Sequence, residues 1–223
     1  MKTRILSMTS ALLLLGLVAC AMEPRLTSLS IVYLDAYVKR EPPAVYIFPP
    51  KAPPAPLKAL IVPFTVGQDI ASAKMLGTQI TEIFWQGWNQ TQVFPTLLYD
   101  TTLDFKTPEQ IMLIARDRGV DLIVNGNITH VLAGGTQGDS MIGLNLQIFD
   151  VKNGQPVWHM AQAGRMEPGM THDFIIAMTR NRMPTDPINA IVMCLAHDTG
   201  ELIKNWNYDL IDEKGHKRKT PKS

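Results

Sequence analysis

The chain has 223 residues, 46% of them hydrophobic and 18% charged, with 21 Lys and Arg against 20 Asp and Glu and a formal net charge of +1. That balance excludes wholesale disorder and argues against a dedicated nucleic-acid binder, whose phosphate contacts call for a basic excess. The two cysteines, Cys20 and Cys194, are too few and too far apart for the disulfide framework of a small secreted module, so an apolar core must hold the fold.

The first elements form an export signal. Lys2 and Arg4 make a positive start, and Ile5 to Val18 is mostly apolar around Leu12-Leu13-Leu14-Leu15. The run is shorter than the ~20 residues a spanning helix needs and it ends in small residues, so residues 1–19 read as a cleaved signal peptide. From Ala21 to Leu57 the composition changes: half of the 16 prolines fall there. Residues 20–57 read as a Pro-rich tether, able to reach roughly 100 Å if fully extended as polyproline. Within it, Leu29 to Val38 is apolar and β-branched enough to dock as a strand.

The folded domain is expected over 58–210. Ala59 to Phe64 is a short apolar run that reads as a buried first strand. A helix follows, with Asp69 as its cap and Ala73, Leu76, Ile80, Ile83 and Phe84 recurring at helical spacing through Trp88. Thr91 to Tyr99 holds a second strand around Val93-Phe94-Pro95. Thr107-Pro108-Glu109-Gln110 then sets out an N-cap, a first-turn proline and a capping-box glutamine, with Gly119 as the stop of a second helix. Val120 to Val131 reads as a strand. After the glycine-rich turn at 134–138, Ile142, Leu144, Leu146 and Ile148 alternate with Met141, Gly143, Asn145, Gln147 and Phe149, the period of a half-buried strand. Asp150 to Gly154 makes a hairpin, and the return strand runs from Pro156 to about Arg165. Ile188, Ile191, Val192, Leu195, Leu202, Ile203 and Trp206 describe a long closing helix. Residues 211–223 form a basic tail, read by default as solvated and disordered, with attraction to anionic lipid or peptidoglycan as the alternative. The expected fold class is α/β, or α+β: one domain, a mixed sheet flanked by helices, in the order βαβαβββα.

Two resemblances add to this reading. Leu17-Val18-Ala19-Cys20 resembles the lipobox of bacterial lipoproteins, which implies acylation of Cys20, cleavage before it, and a membrane partner in the form of the acyl chains; Ala21 after the cysteine implies outer-membrane sorting. The strand ALIVPF, the strand DLIVNGNIT and the hairpin LNLQIFDVKNGQPVWH resemble the envelope domain shared by the curli-secretion lipoprotein CsgG, the penicillin-binding-protein activator lipoprotein LpoB and the N-terminal domain of TolB. Members of that group bind proteins or assemble into rings. The resemblance therefore implies a non-enzymatic, periplasm-facing accessory or assembly factor with a protein partner. The alternative it leaves is a homo-oligomeric subunit of a secretion ring or pore, for which a single hairpin offers few barrel staves.

For catalysis the sequence offers no nucleophile elbow, metalloprotease helix, phosphate-binding loop or paired-cysteine site, so neither catalytic residues nor a cofactor nor a metal is expected. His159, Met160, Met166, Met170 and His172 are the one group with ligands suited to soft copper, weighed against methionine as core filler. Trp85 and Trp88, one helical turn apart, are the candidate partner-binding anchors, with core packing as the alternative. Cys194, among Ile191, Val192 and Leu195, reads as a small buried hydrophobe.

Overall fold

The computed structural model describes residues 30–103, 108–168, 171–173 and 177–208. The signal segment, Cys20, the capping-box Thr107 and the basic tail lie outside the described residues. No helix among those described is long and apolar enough to cross a membrane.

The chain divides into two compact units, a small one from Met1–Leu34 and Met170–Arg180, and a large one from Asp35–Gly169 and Asn181–Ser223. Among the described residues the small unit holds a three-stranded sheet in the order β1 (Ser30–Asp35), β11 (Ala177–Arg182), β10 (Thr171–Asp173). β10 and β11 pair antiparallel with Thr171 opposite Arg180. The segment 29–38, for which the sequence leaves strand and open tether as alternatives, contains β1. β11, in a stretch to which the sequence assigns no element, lies beside it.

The large unit is an α+β domain with, among the described residues, an eight-stranded mixed sheet and three helices. Its sheet runs β2 (Lys39–Arg40), β9 (Pro156–Met166), β8 (Ser140–Asp150), β7 (Leu122–Leu132), β4 (Ala59–Ile61), β6 (Leu97–Tyr99), with β3 (Ala44–Ile47) also on β9 and β5 (Thr65–Val66) also on β7. β4 pairs in parallel with both β6 and β7, while β7, β8 and β9 are antiparallel. The helices are α1 (Ala73–Thr91), α2 (Pro108–Asp117) and α3 (Pro187–Asn207).

Connectivity explains which face each helix covers. The chain leaves β4 through α1 to β6 on one side, then returns from β6 through α2 past β4 to β7. Right-handed crossovers made in opposite directions put their helices on opposite faces. Accordingly Ala59 and Ile61 of β4 join the larger core with α1 and α3, while Leu60 and the following Val62 join a smaller one with Ile111 and Ala115 of α2. β4 is apolar at every position because both its faces are covered.

On the larger core, Ile142, Leu144, Leu146 and Ile148 of β8 meet Trp158 and Met160 of β9 and the α3 stripe of Ile191, Leu195 and Ile203. α1 and α3 approach closely at small residues. A Cβ on Gly87 would lie 3.1 Å from that of Ala196, and Gly200 leaves room for the Trp88 ring. Trp88 donates its indole N–H to the Ala196 carbonyl at 2.9 Å, which satisfies its polar atom within the core.

Several local expectations shift. α1 begins after Ser72, not at Asp69, and no side chain caps it. The second strand lies at Leu97–Tyr99, whereas Val93 and Phe94 are core plugs that follow the left-handed Gln92 at the end of α1. Gly119 does end α2's turn, with φ +65°. The larger change concerns the tether. Residues 36–57 form a strap laid on the domain: β2 and β3 run antiparallel along β9, Lys39 opposite Arg165 and Ile47 opposite His159. The proline-rich composition conceals this because the pairing is interrupted and short.

Candidate functional site: an open sheet face and its strap

α2 covers the second face of the sheet only near β4 and the first residues of β7. Further along, the side chains of β7, β8 and β9 that point away from the larger core have no helix over them within this unit, among the described residues. The register lines them up. Asn125 stands opposite Gln147, which stands opposite His159; in the next row Asn127, Asn145 and Ala161 align. His159 Nε2 and Asn145 Oδ1 are 2.8 Å apart, and the Tyr46 ring of the strap tilts against the imidazole with centroids 5.1 Å apart. Asn125 Oδ1 is buried and has no hydrogen-bond partner among the described residues. The surface is therefore rich in neutral amide donors and acceptors, with an exposed aromatic edge. Such a surface can hydrogen-bond a partner backbone or side chain directly.

The strap is fastened by polar contacts at both ends. Arg40 forms a fork on Asp198 with bonds of 2.6 and 3.0 Å, and Gln162 donates to Asp198 and to the Glu41 carbonyl, both at 2.8 Å. Burial pushes the Asp198 carboxyl up, but the bonds from Arg40 and Gln162 more than offset this, so it sits below the usual carboxylate value. At the far end Trp206 donates its indole N–H to the Lys51 carbonyl at 2.7 Å. Asn207 clasps the backbone of Leu57, accepting from its N–H at 2.8 Å and donating to its carbonyl at 3.2 Å. Shallow depressions of about 270 to 590 Å³ border the strap, α1 and α3, bringing Arg40 near His197, Cys194 and Glu201.

The residues singled out from sequence are dispersed. Trp88 is fully buried and has no surface to offer a partner. Trp85 is half-buried, lies tilted against Tyr99 with ring centroids 6.0 Å apart and donates to the Leu97 carbonyl at 3.0 Å, which ties α1 to β6. Within the large unit, His159 and Met160 of the copper group are neighbours on one strand and point to opposite faces, with Met160 and Met166 in the core. Met170 lies outside the described residues, and His172 belongs to β10 of the small unit. Among the described residues no three His, Cys, Asp or Glu side chains are grouped to hold a metal. Cys194 is half-buried and packs against the core. Sequence reasoning misses the amide rows, although a signal exists: Asn125 and Asn127 alternate on one strand, and Asn145 and Gln147 on the next.

No family model matches the chain, and no curated protein matches it. Solved structures do. The PelC dodecamer from Paraburkholderia phytofirmans is 13% identical with a TM-score of 0.45, covering 76% of this chain and 97% of that one. The lipoprotein GNA1162 from Neisseria meningitidis is 13% identical with a TM-score of 0.36, covering 49% and 83%. The LpoB C-terminal domain from Escherichia coli is 12% identical with a TM-score of 0.29, over 49% and 83%.

Proposed function

We propose that this chain is a bacterial envelope lipoprotein, anchored through acyl chains on Cys20 at the outer membrane and facing the periplasm, that works as a non-enzymatic accessory or assembly factor by binding another protein. The observation that carries the binding role is the open face of β7, β8 and β9, with its amide rows, opposite a face that the helices cover completely enough to bury Ile142, Leu144, Leu146 and Ile148. The membrane attachment rests on the lipobox at Leu17 to Cys20. The position of the strap on β9 supports an accessory factor over a ring of inserted hairpins, because the β8–β9 hairpin commits one face to the core and its outer edge to β2 and β3.

The test is done in growing bacteria that express the full chain. Labelled palmitate should enter the protein and be lost in Cys20→Ser. A photoreactive residue placed at Asn145 should give an adduct of discrete mass with a second protein, and adding Gln147→Ala to the same chain should weaken that adduct. Adducts only at multiples of the chain's own mass would replace the accessory reading with the ring, and an unlabelled, unadducted chain would remove both.

A further inference from the structure

We propose that the exposed aromatic edge of the strap rests on the surface of the lipid bilayer to which the chain is anchored; this goes beyond protein binding but rests on the lipoprotein reading of Cys20. Nine large hydrophobic side chains are exposed among the described residues, and five of them lie within 37–48: Tyr37, Val45, Tyr46, Ile47 and Phe48. Tyr37, Tyr46 and Phe48 are 68%, 64% and 66% exposed. Val45 and Ile47 pair along the edge of β9, Tyr37 lies two residues before the pairing of Lys39 with Arg165, and Phe48 one residue after the pairing of Ile47 with His159, levels about 20 Å apart.

Three observations select a bilayer as the occupant. The first is reach. The strap begins to dock at Ala36, so the 16 residues from Cys20 can separate it from the anchor by at most about 55 Å, half of what a free tether through Leu57 would allow. The second is charge. Between residues 36 and 58, Lys39, Arg40, Lys51 and Lys58 are countered only by Glu41. Lys39 and Arg40 are paired to Glu167 and Asp198, while Lys51, three residues after Phe48, makes no side-chain ion pair among the described residues and is available to anionic headgroups. Tyrosine beside lysine suits the headgroup zone, where an apolar ring and a wet polar tip are both accommodated. The third is the shortness of the edge. β3 has four residues and is bracketed by Pro42-Pro43 and Pro49-Pro50, so a further strand from a second copy has almost no ladder to extend.

The experiment places tryptophan at Phe48 in the lipidated full chain, reconstituted in vesicles of phosphatidylethanolamine and phosphatidylglycerol with or without brominated acyl chains. Phe48→Trp should lose about twice as much fluorescence to brominated lipid as the parent chain does, and Leu113→Trp, exposed on α2, should show no such excess. Equal quenching of the two variants overturns the proposal. So does a stable dimer in light scattering whose cross-links run through residue 48, because the strap then meets a second copy. Palmitate incorporation is measured on the same samples. Its absence removes the lipoprotein reading and this proposal together, whereas its presence without the Phe48→Trp excess removes this proposal alone.

Discussion

Replacing Asn207 by Asp exchanges an amide for a carboxylate of the same shape and tests how the strap is closed. The side chain is 1% exposed. Its Oδ1 accepts from the Leu57 N–H, and its Nδ2 donates to the carbonyls of Leu57 at 3.2 Å and Val93 at 3.4 Å. Asn207→Asp retains the acceptor but turns a carboxylate oxygen toward two carbonyls. A buried polar group that loses its partner costs about 1–3 kcal/mol. With one of the two bonds long, and a charge now desolvated, the loss at pH 7 should be about 3–4 kcal/mol. For a domain of this size that is a fall in Tm of about 6–16 °C. The introduced carboxyl is held above its ordinary value of about 3.9 by burial and by the facing carbonyls. A folded-state pKa raised in this way makes the penalty grow as pH rises from about 4 through the raised value and level off above it. Near pH 4 the protonated acid again donates, so the gap from the parent should shrink to less than half. Thermal unfolding followed by tryptophan fluorescence at both pH values measures it, with Trp206 next in sequence as a local reporter. An equal gap at pH 4 and pH 7, or none at either, would refute the assignment of Asn207 as the buried clasp.

Gly77→Ala should destabilise the domain by about 2 kcal/mol despite a helix-propensity gain of up to about 1 kcal/mol, since overpacking of this kind costs about 1–3 kcal/mol or more. A Cβ there would fall well inside contact distance of the Phe64 carbonyl oxygen, and Phe64 is already held in place by its N–H, which donates to the Thr81 hydroxyl at 2.8 Å; urea unfolding that leaves the midpoint unchanged or raised would contradict this. Asp100 is held at about 2 by the Thr102 hydroxyl, the Arg118 guanidinium and the Thr102 N–H, against a small opposing effect of burial. Its folded-state value is lowered, so its stabilisation is fully present above about pH 4 and is lost as pH falls toward 2. Asp100→Asn should therefore be less stable at pH 7 and lack that part of the acid transition, read by fluorescence between pH 5 and 2. Arg40→Ala should cost about 1 kcal/mol, as expected of a partly exposed ion pair, and speed tryptic cleavage after Lys51 as the strap loosens. Unchanged cleavage kinetics would place the strap's attachment elsewhere.

Some elements are legible in the chain because their signals are local. The alternation of Ile142 to Ile148 with Asn145 and Gln147, the apolar stripe from Ile191 to Trp206, and Pro108 with Gly119 at the two ends of α2 each specify a period or a terminus within a few residues, and they define β8, α3 and α2. The strap and the open face are different, because both are made by contacts between distant residues. Proline-rich chain around Ala44 to Ile47 has the composition of a spacer, and its place on β9 comes from register and from clasps to Asp198, Trp206 and Asn207 that span 158, 155 and 150 residues of sequence. On sequence grounds both Trp85 and Trp88 are candidate anchors, Trp85 the stronger because it falls outside the strictest apolar stripe of its helix; the fold puts the indole of Trp88 on Ala196 and that of Trp85 on Leu97. The amide rows exist only once β7, β8 and β9 are aligned, because a row across a sheet is a property of strand pairing. Periodicity along the chain reports which face a residue takes; it carries no record of which distant residue will stand beside it.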